Sequence, residues 1–140
     1  MNTAKTEVIR FATNHRQFQL PASGLRVDDD VITPSRLVRD LGVFLDSDQT
    51  MRTHVSRTVS RCFFATRQLR SVRRSVPSDV FQSLIASLVL TRLDYGNATL
   101  AGISAGLTTR LQSVLNAAAS MIFGLRRRLA LPRSYQPDSR

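Results

Sequence analysis

Between Met51 and Val76 apolar side chains return every three or four residues: Met51, Val55, Val59, Cys62, Ala65, Leu69, Val72 and Val76. That rhythm predicts one long amphipathic helix. Asp48 or Thr50 is placed to cap its start, and Pro77 to stop it. The next run, "VFQSLIASLVLTRLDY", is apolar nearly all round, with Phe81, Leu84, Ile85, Leu88, Val89 and Leu93. Its length favours a helix over a strand, Ser78 or Asp79 can cap it, and its all-round apolarity predicts the most buried element of the set. A third helix is predicted from near Ser104, with Leu107, Leu111, Val114, Leu115, Ala118 and Ile122 on one face and Gly124 placed to end it. The run Ala117, Ala118, Ala119 allows a neighbour to pack closely.

Upstream the pattern changes to short clusters of β-branched, aromatic and aliphatic residues bounded by Gly, Pro and Asp. "TEVIRFA", "GLRVDDDVI" and "RLVRDLGVFLD" read as strands, and "NHRQFQLPASG" as a loop. Pro34, with no N–H for a ladder, is expected at a strand edge or entry. The expected fold class is therefore α+β: a short antiparallel β-hairpin region, residues 1–47, then a three-helix bundle, residues 48–124. Residues 125–140 carry two prolines, five Arg and no periodic face, and read as a basic disordered tail.

Charge sharpens this division. The formal net charge is +10, from one Lys and nineteen Arg against ten acidic residues. Residues 51–76 hold seven Arg and no acid, whereas residues 1–50 net −1 and residues 77–124 are neutral. An excess of Arg also follows from the base composition of coding DNA. Its concentration on one helix, however, argues for a basic surface that meets a polyanion. At about 100° per residue, Arg52, Arg67, Arg70 and Arg74 fall on one side of the apolar stripe. Arg57 and Arg61 lie further round. Such arginines suit phosphates and would hold a backbone without reading sequence.

Other chemistry is sparse. His15 and His54 have no ligand spacing around them, so no metal site is expected. Cys62 lies on the apolar stripe and is expected in the core, and one cysteine excludes an internal disulfide. The triplet Asp28–Asp30 reads as a solvated hairpin turn, because successive residues point different ways. No apolar run approaches the roughly 20 residues of a membrane span, and no secretory signal pattern opens the chain. An intracellular protein is expected, nucleus and cytoplasm not being distinguished. In "LTRLDYGN" the acid and tyrosine suggest a site. No second carboxylate lies within helical reach of Asp94, since Asp79 is about four turns earlier. Gly96 is placed as a helix stop with Asn97 in the turn.

Four strings in this order, "AKTEVIRF", "VRDLGVFLDSDQTMRTHVSRTV", "LVLTRLDYGNATLAGIS" and "RLQSVLNAAASMIFG", resemble the reverse transcriptase of non-LTR (LINE-type) retrotransposons of the jockey-like group. The resemblance covers roughly residues 3–124. It implies the end of a polymerase palm followed by the thumb, which holds the template–primer duplex through its backbone. By the same resemblance Lys5 matches a palm lysine near the incoming nucleotide. Leu41, Gly42 and Val43 match the "LGV" of a primer-grip hairpin, where a strand glycine would admit another backbone closely. Asp94, Tyr95, Gly96 and Asn97 fall at a thumb helix–helix junction, with Gly96 where the family usually has Cys.

The parent family is an RNA-directed DNA polymerase that needs magnesium. The pair of metal-binding aspartates used for nucleotidyl transfer has no candidate in this sequence, and no cofactor is expected in the chain itself. Two functional classes follow. One is a catalytically silent fragment that binds RNA, DNA or their hybrid through its basic helix. The other is a helical interaction module that self-associates through exposed apolar surface. A reading frame without a selected function is a third reading.

Overall fold

The computed structural model describes residues 5–124; the expected disordered tail lies outside the described residues. The order of elements is β1 (Leu25–Val27), β2 (Asp30–Ile32), β3 (Leu37–Asp40), β4 (Val43–Asp46), α1 (Arg52–Val72), α2 (Ser78–Ile85), α3 (Thr91–Asp94) and α4 (Ala105–Ile122). A π-helical turn, Ala86–Leu90, joins α2 to α3, and helical backbone angles run unbroken through it. The fold is α+β, two antiparallel hairpins followed by three helical rods.

Both hairpins close through two-residue turns. In the first, Val27 pairs with Asp30 across Asp28 and Asp29, with Asp28 left-handed at φ 55°. In the second, Asp40 pairs with Val43 across Leu41 and Gly42, both at positive φ (46° and 88°). Such a turn matches the right-handed twist of the strands it joins. Gly42 is thus a turn residue, not the strand glycine expected; what comes close to it is a tyrosine ring, as described below. "TEVIRFA" forms no strand, only one parallel bridge from Ile9 to Ser35. That bridge sits one residue past Pro34, which cannot donate to a longer ladder.

The start of α1 corrects the expected cap. Neither Asp48 nor Thr50 caps it. The Thr50 amide and hydroxyl instead donate to Asp48 Oδ1 at 3.1 and 2.7 Å, a local Asx turn. The capping carboxylate comes from the end of β4: Asp46 accepts the Thr53 N–H at 2.9 Å and the Thr53 hydroxyl at 2.5 Å. It satisfies one of the orphan donors of the first turn and ties the hairpin to the helix. At the other end α1 stops at Val72, with a turn from Val72 to Ser75, before Pro77 is reached.

The apolar core lies among the helices. Val55, Val59, Cys62 and Leu69 of α1 meet Phe81, Ile85 and Val89 on one side and Leu107, Val114, Ala118 and Met121 of α4 on the other. Cys62 is fully buried, as its stripe position predicts. Burial pushes its thiol pKa up, against the opposing pull of Arg92.

The second rod is not the most buried element. Leu88 and Val80 face solvent, and only its row Phe81, Ile85, Val89 is fully covered. Steps of four drift by about 40° per step at α-helical pitch. The wider π turn counters this drift, and the Thr91 hydroxyl donates to the Ala86 carbonyl at 3.1 Å within it. On α4, Leu115 is exposed where the face prediction placed it inside, and Met121 takes a core position instead. No helix among the described residues is long and apolar enough to cross a membrane.

Candidate nucleic-acid interface

α1 carries its arginines on two flanks, and the fold treats the flanks differently. All six predicted phosphate ligands are exposed. On the flank that meets the second hairpin, Phe44 of β4 is buried against α1. The Arg57 guanidinium lies 4.2 Å from the centroid of its ring and that of Arg39 5.6 Å away, so cation–π attraction already engages Arg57. Arg61, one turn on, lines a hollow of about 440 Å³ with Gly42, His54, Thr58, Thr91, Arg92 and Tyr95.

His54 is the buried titratable group of this flank. Its Nδ1 accepts the Phe44 N–H at 3.4 Å, which leaves the proton of the neutral ring on Nε2. Burial lowers its pKa below 6.5, and the charge of Arg61 lowers it further. Gly96 sits against Nε2: a Cβ there would lie 3.5 Å from that nitrogen and 3.3 Å from Val43 Cγ2. Its φ of +78° is a conformation that suits glycine. The helix has already ended at Tyr95, so Gly96 is the left-handed residue after the stop, and Asn97 opens a short 3₁₀ turn, Asn97–Leu100.

Tyr95 reaches across to the hairpin. Its hydroxyl donates to the Leu41 carbonyl, and its ring would touch a Cβ on Gly42 at 3.5 Å. The strings that carry Leu41, Gly42, Val43 and the junction residues therefore meet in space. Asp94, beside Tyr95, is exposed and does not line the hollow. Lys5 is exposed near the chain start and belongs to neither flank.

The opposite flank of α1 faces α4 across an open groove. Its floor and walls include Ser60, Phe63, Phe64 and Arg67 of α1 with Arg110 and Ser113 of α4. It continues past Phe63 and Ser113 to Arg70, Arg73, Asn116 and Ser120. The two stretches measure about 540 and 650 Å³, and no carboxylate lines either. Arg110 is oriented by a 2.9 Å hydrogen bond from its guanidinium to Ser56 Oγ. Arg73 lies 5.6 Å from the Phe81 ring centroid at the far end.

Arg52 and Arg74 stand apart from both cavities. Arg52 is close enough to Asp48 to act on it: burial opposes ionisation of that carboxyl, but the Thr50 hydrogen bonds and Arg52 outweigh it and the pKa falls. The predicted set thus splits into Arg67 and Arg70 in the groove, Arg57 and Arg61 on the hairpin flank, and Arg52 and Arg74 at the ends. Arg73, Arg92 and Arg110 complete these surfaces and were not among the predicted ligands. Arg92 and Arg110 are isolated basic residues in a charge-neutral stretch, and only packing brings them beside α1. Among the described residues no cluster of His, Cys, Asp or Glu could hold a metal ion.

No protein-family model, no curated protein and no solved structure matches this chain.

Proposed function

We propose that this chain is a nucleic-acid-binding module related to the primer-grip and thumb region of non-LTR reverse transcriptases, holding RNA, DNA or their hybrid by the phosphate backbone. The observation that carries the reading is the α1–α4 groove, where Arg67, Arg70, Arg73 and Arg110 converge without one carboxylate. Natural helix faces usually mix both signs, and a one-sign groove concentrates a polyanion. The resemblance supports the same assignment from the sequence side, since it aligns the helices with a thumb that holds nucleic acid through its backbone. On this reading the chain binds and does not catalyse, because the two aspartates that such a polymerase uses to hold magnesium have no counterpart in it. Its site of action is intracellular.

The test is fluorescence anisotropy with labelled oligonucleotides of mixed sequence across a salt series. The expected result is an affinity that falls linearly on a log–log plot against salt, by about 0.7 to 0.9 of a decade per decade for each phosphate neutralised, with little dependence on base sequence. An affinity unchanged between low and high salt overturns the reading. A second reading, self-association, draws on the exposed side chains of Phe18, Leu41, Phe64 and Phe123. Light scattering coupled to size exclusion separates the two, since that reading requires a concentration-dependent oligomer.

A further inference from the structure

We infer that the α1–α4 groove seats a single strand of RNA or DNA, with bases stacked on Phe63 and Phe64 and phosphates held by Arg67, Arg70 and Arg110. The inference rests on the nucleic-acid reading above and narrows it from backbone binding in general to single strands.

Phe63 and Phe64 are 41% and 65% exposed, though they lie at the middle of a helix whose opposite face is the centre of the core. Adjacent helical positions project about 100° apart, so one backbone site offers two ring faces to the groove it borders. Both rings and the Arg67 guanidinium line the same hollow. Arg110 stands across it, held in place by Ser56, and Arg70 follows Arg67 by three residues on the same flank.

Aromatic rings set among arginines form the arrangement that binds unpaired bases: every base has a π face, so stacking tolerates any sequence while the cations track the backbone. A duplex keeps its bases stacked on one another and offers the rings nothing. The α4 wall of the groove's second stretch is Ser113, Asn116, Ala117 and Ser120, small or polar side chains that leave room beside the rings, together with the buried Met121.

This separates two contributions that a salt titration can tell apart. The arginines set the slope of affinity against salt, and the rings set its level. The full-length chain carrying Phe63→Ala and Phe64→Ala is expected to bind single-stranded RNA and DNA of mixed sequence about ten-fold more weakly per ring, with the salt slope unchanged. Its affinity for a duplex of the same length is expected to stay within two-fold, by the order-of-magnitude argument that paired bases do not reach the rings.

Phe63→Trp with Phe64→Trp is expected to keep or raise the single-strand affinity. Phe18→Ala, which removes a 93% exposed ring outside the groove, is expected to change nothing. Arg67→Ala with Arg70→Ala is expected to lower the slope. RNA and DNA arms differ only if the groove contacts the 2′-hydroxyl; the inference requires loss in both.

Equal binding of single strands by the wild type and the double alanine variant overturns the inference while leaving the broader reading intact. So does an equal loss on single strands and duplex, or a variant that turns an oligomer into a monomer with its nucleic-acid affinity unchanged. The last result would assign the rings to a protein interface. A wild-type chain that binds neither single strands nor duplex overturns both.

Discussion

Arg57 and Arg67 stand ten residues apart on the same helix, both exposed, yet they meet different surroundings. Arg57 lies over the buried ring of Phe44, on a flank where the hairpin, the α1 cap and the Tyr95 hydroxyl interlock. Arg67 borders a groove lined by Phe63, Phe64, further arginines and small or polar side chains, with Val59 and Met121 as its aliphatic members and no carboxylate. Both flanks draw arginines from the same acid-free stretch of sequence, and packing decides what each of them meets. The hairpin flank spends its arginine on holding β4 against α1. On the α4 flank Arg67 and Arg70 border an open groove beside the exposed rings of Phe63 and Phe64. The first flank is a structural joint; the second, on the proposed reading, is the surface that meets nucleic acid.

The most severe test of that contrast uses one substitution on both flanks. Phe44→Ala removes a buried ring from between the hairpin and α1 and is expected to cost about 3 kcal/mol of stability, the scale for buried aromatic truncations. Phe64→Ala removes an exposed ring and is expected to change stability by no more than about 0.5 kcal/mol. Urea unfolding of the two variants measures both. Equal costs would show that the groove flank is as tightly built as the joint.

The cap gives the next largest effect. Asp46→Ala should destabilise by about 1 kcal/mol, the usual size of an N-cap loss, because it frees both the Thr53 amide and its hydroxyl. Asp48→Ala should cost less, because Asp48 orders only the turn around Thr50. A reversed ranking would return the cap to Asp48.

These two carboxylates show where the sequence was legible and where it was not. The apolar spacings of α1 and α4 were readable because each turn repeats the same demand for burial, and a period of three to four survives any neighbour. The first hairpin turn was readable from Asp28–Asp30, residues that accept left-handed backbone; the second was not, because "RLVRDLGVFLD" reads as one strand with Gly42 inside it, whereas Leu41 and Gly42 turn the chain. The cap was not, because Asp46 reaches Thr53 from a strand seven residues away, beyond any local capping window. The second rod was over-assigned to the interior, since all-round apolarity does not say which side will find a neighbour. Its row of four-residue steps, Phe81, Ile85 and Val89, was the available sign of the π turn. The groove was half legible: Arg67, Arg70 and their lack of acids can be read in one dimension, but Arg110 arrives only through the docking of α4.

Acidification should loosen the joint before the groove. His54 has a folded pKa below its unfolded value of 6.5, through burial and then through Arg61. In the range between the two values the unfolded chain binds more protons, so stability falls as pH drops. This contribution is complete above pH 6.5 and is lost as the pH passes down through the folded pKa. Protonation also makes Nδ1 a donor and removes its bond from the Phe44 amide. The urea midpoint should therefore be level at pH 7 to 8 and decline below 6.5, and His54→Gln should flatten the decline. A decline that persists unchanged in that variant would place the sensitive group elsewhere. Asp48 acts lower on the scale: its depressed pKa supports stability above 3.8 and withdraws it at more acidic pH.

The smallest effects separate Asp94 from Tyr95, which the sequence grouped as junction residues. Only the tyrosine crosses the junction. Its hydroxyl holds the carbonyl of Leu41, a non-glycine residue in the left-handed region, where the backbone conformation itself costs about 1 kcal/mol. Tyr95→Phe keeps the ring beside Gly42 and removes one hydrogen bond, an expected loss of about 1 kcal/mol. Asp94→Asn changes an exposed side chain outside the hollow, and its expected effect is within about 0.5 kcal/mol. Neither should alter nucleic-acid affinity, because neither residue lines the α1–α4 groove. Anisotropy and urea unfolding on the same two preparations decide the matter. If Asp94→Asn weakened binding while stability held, the ligand would have to approach from the hairpin flank, and the assignment of joint and groove would be inverted.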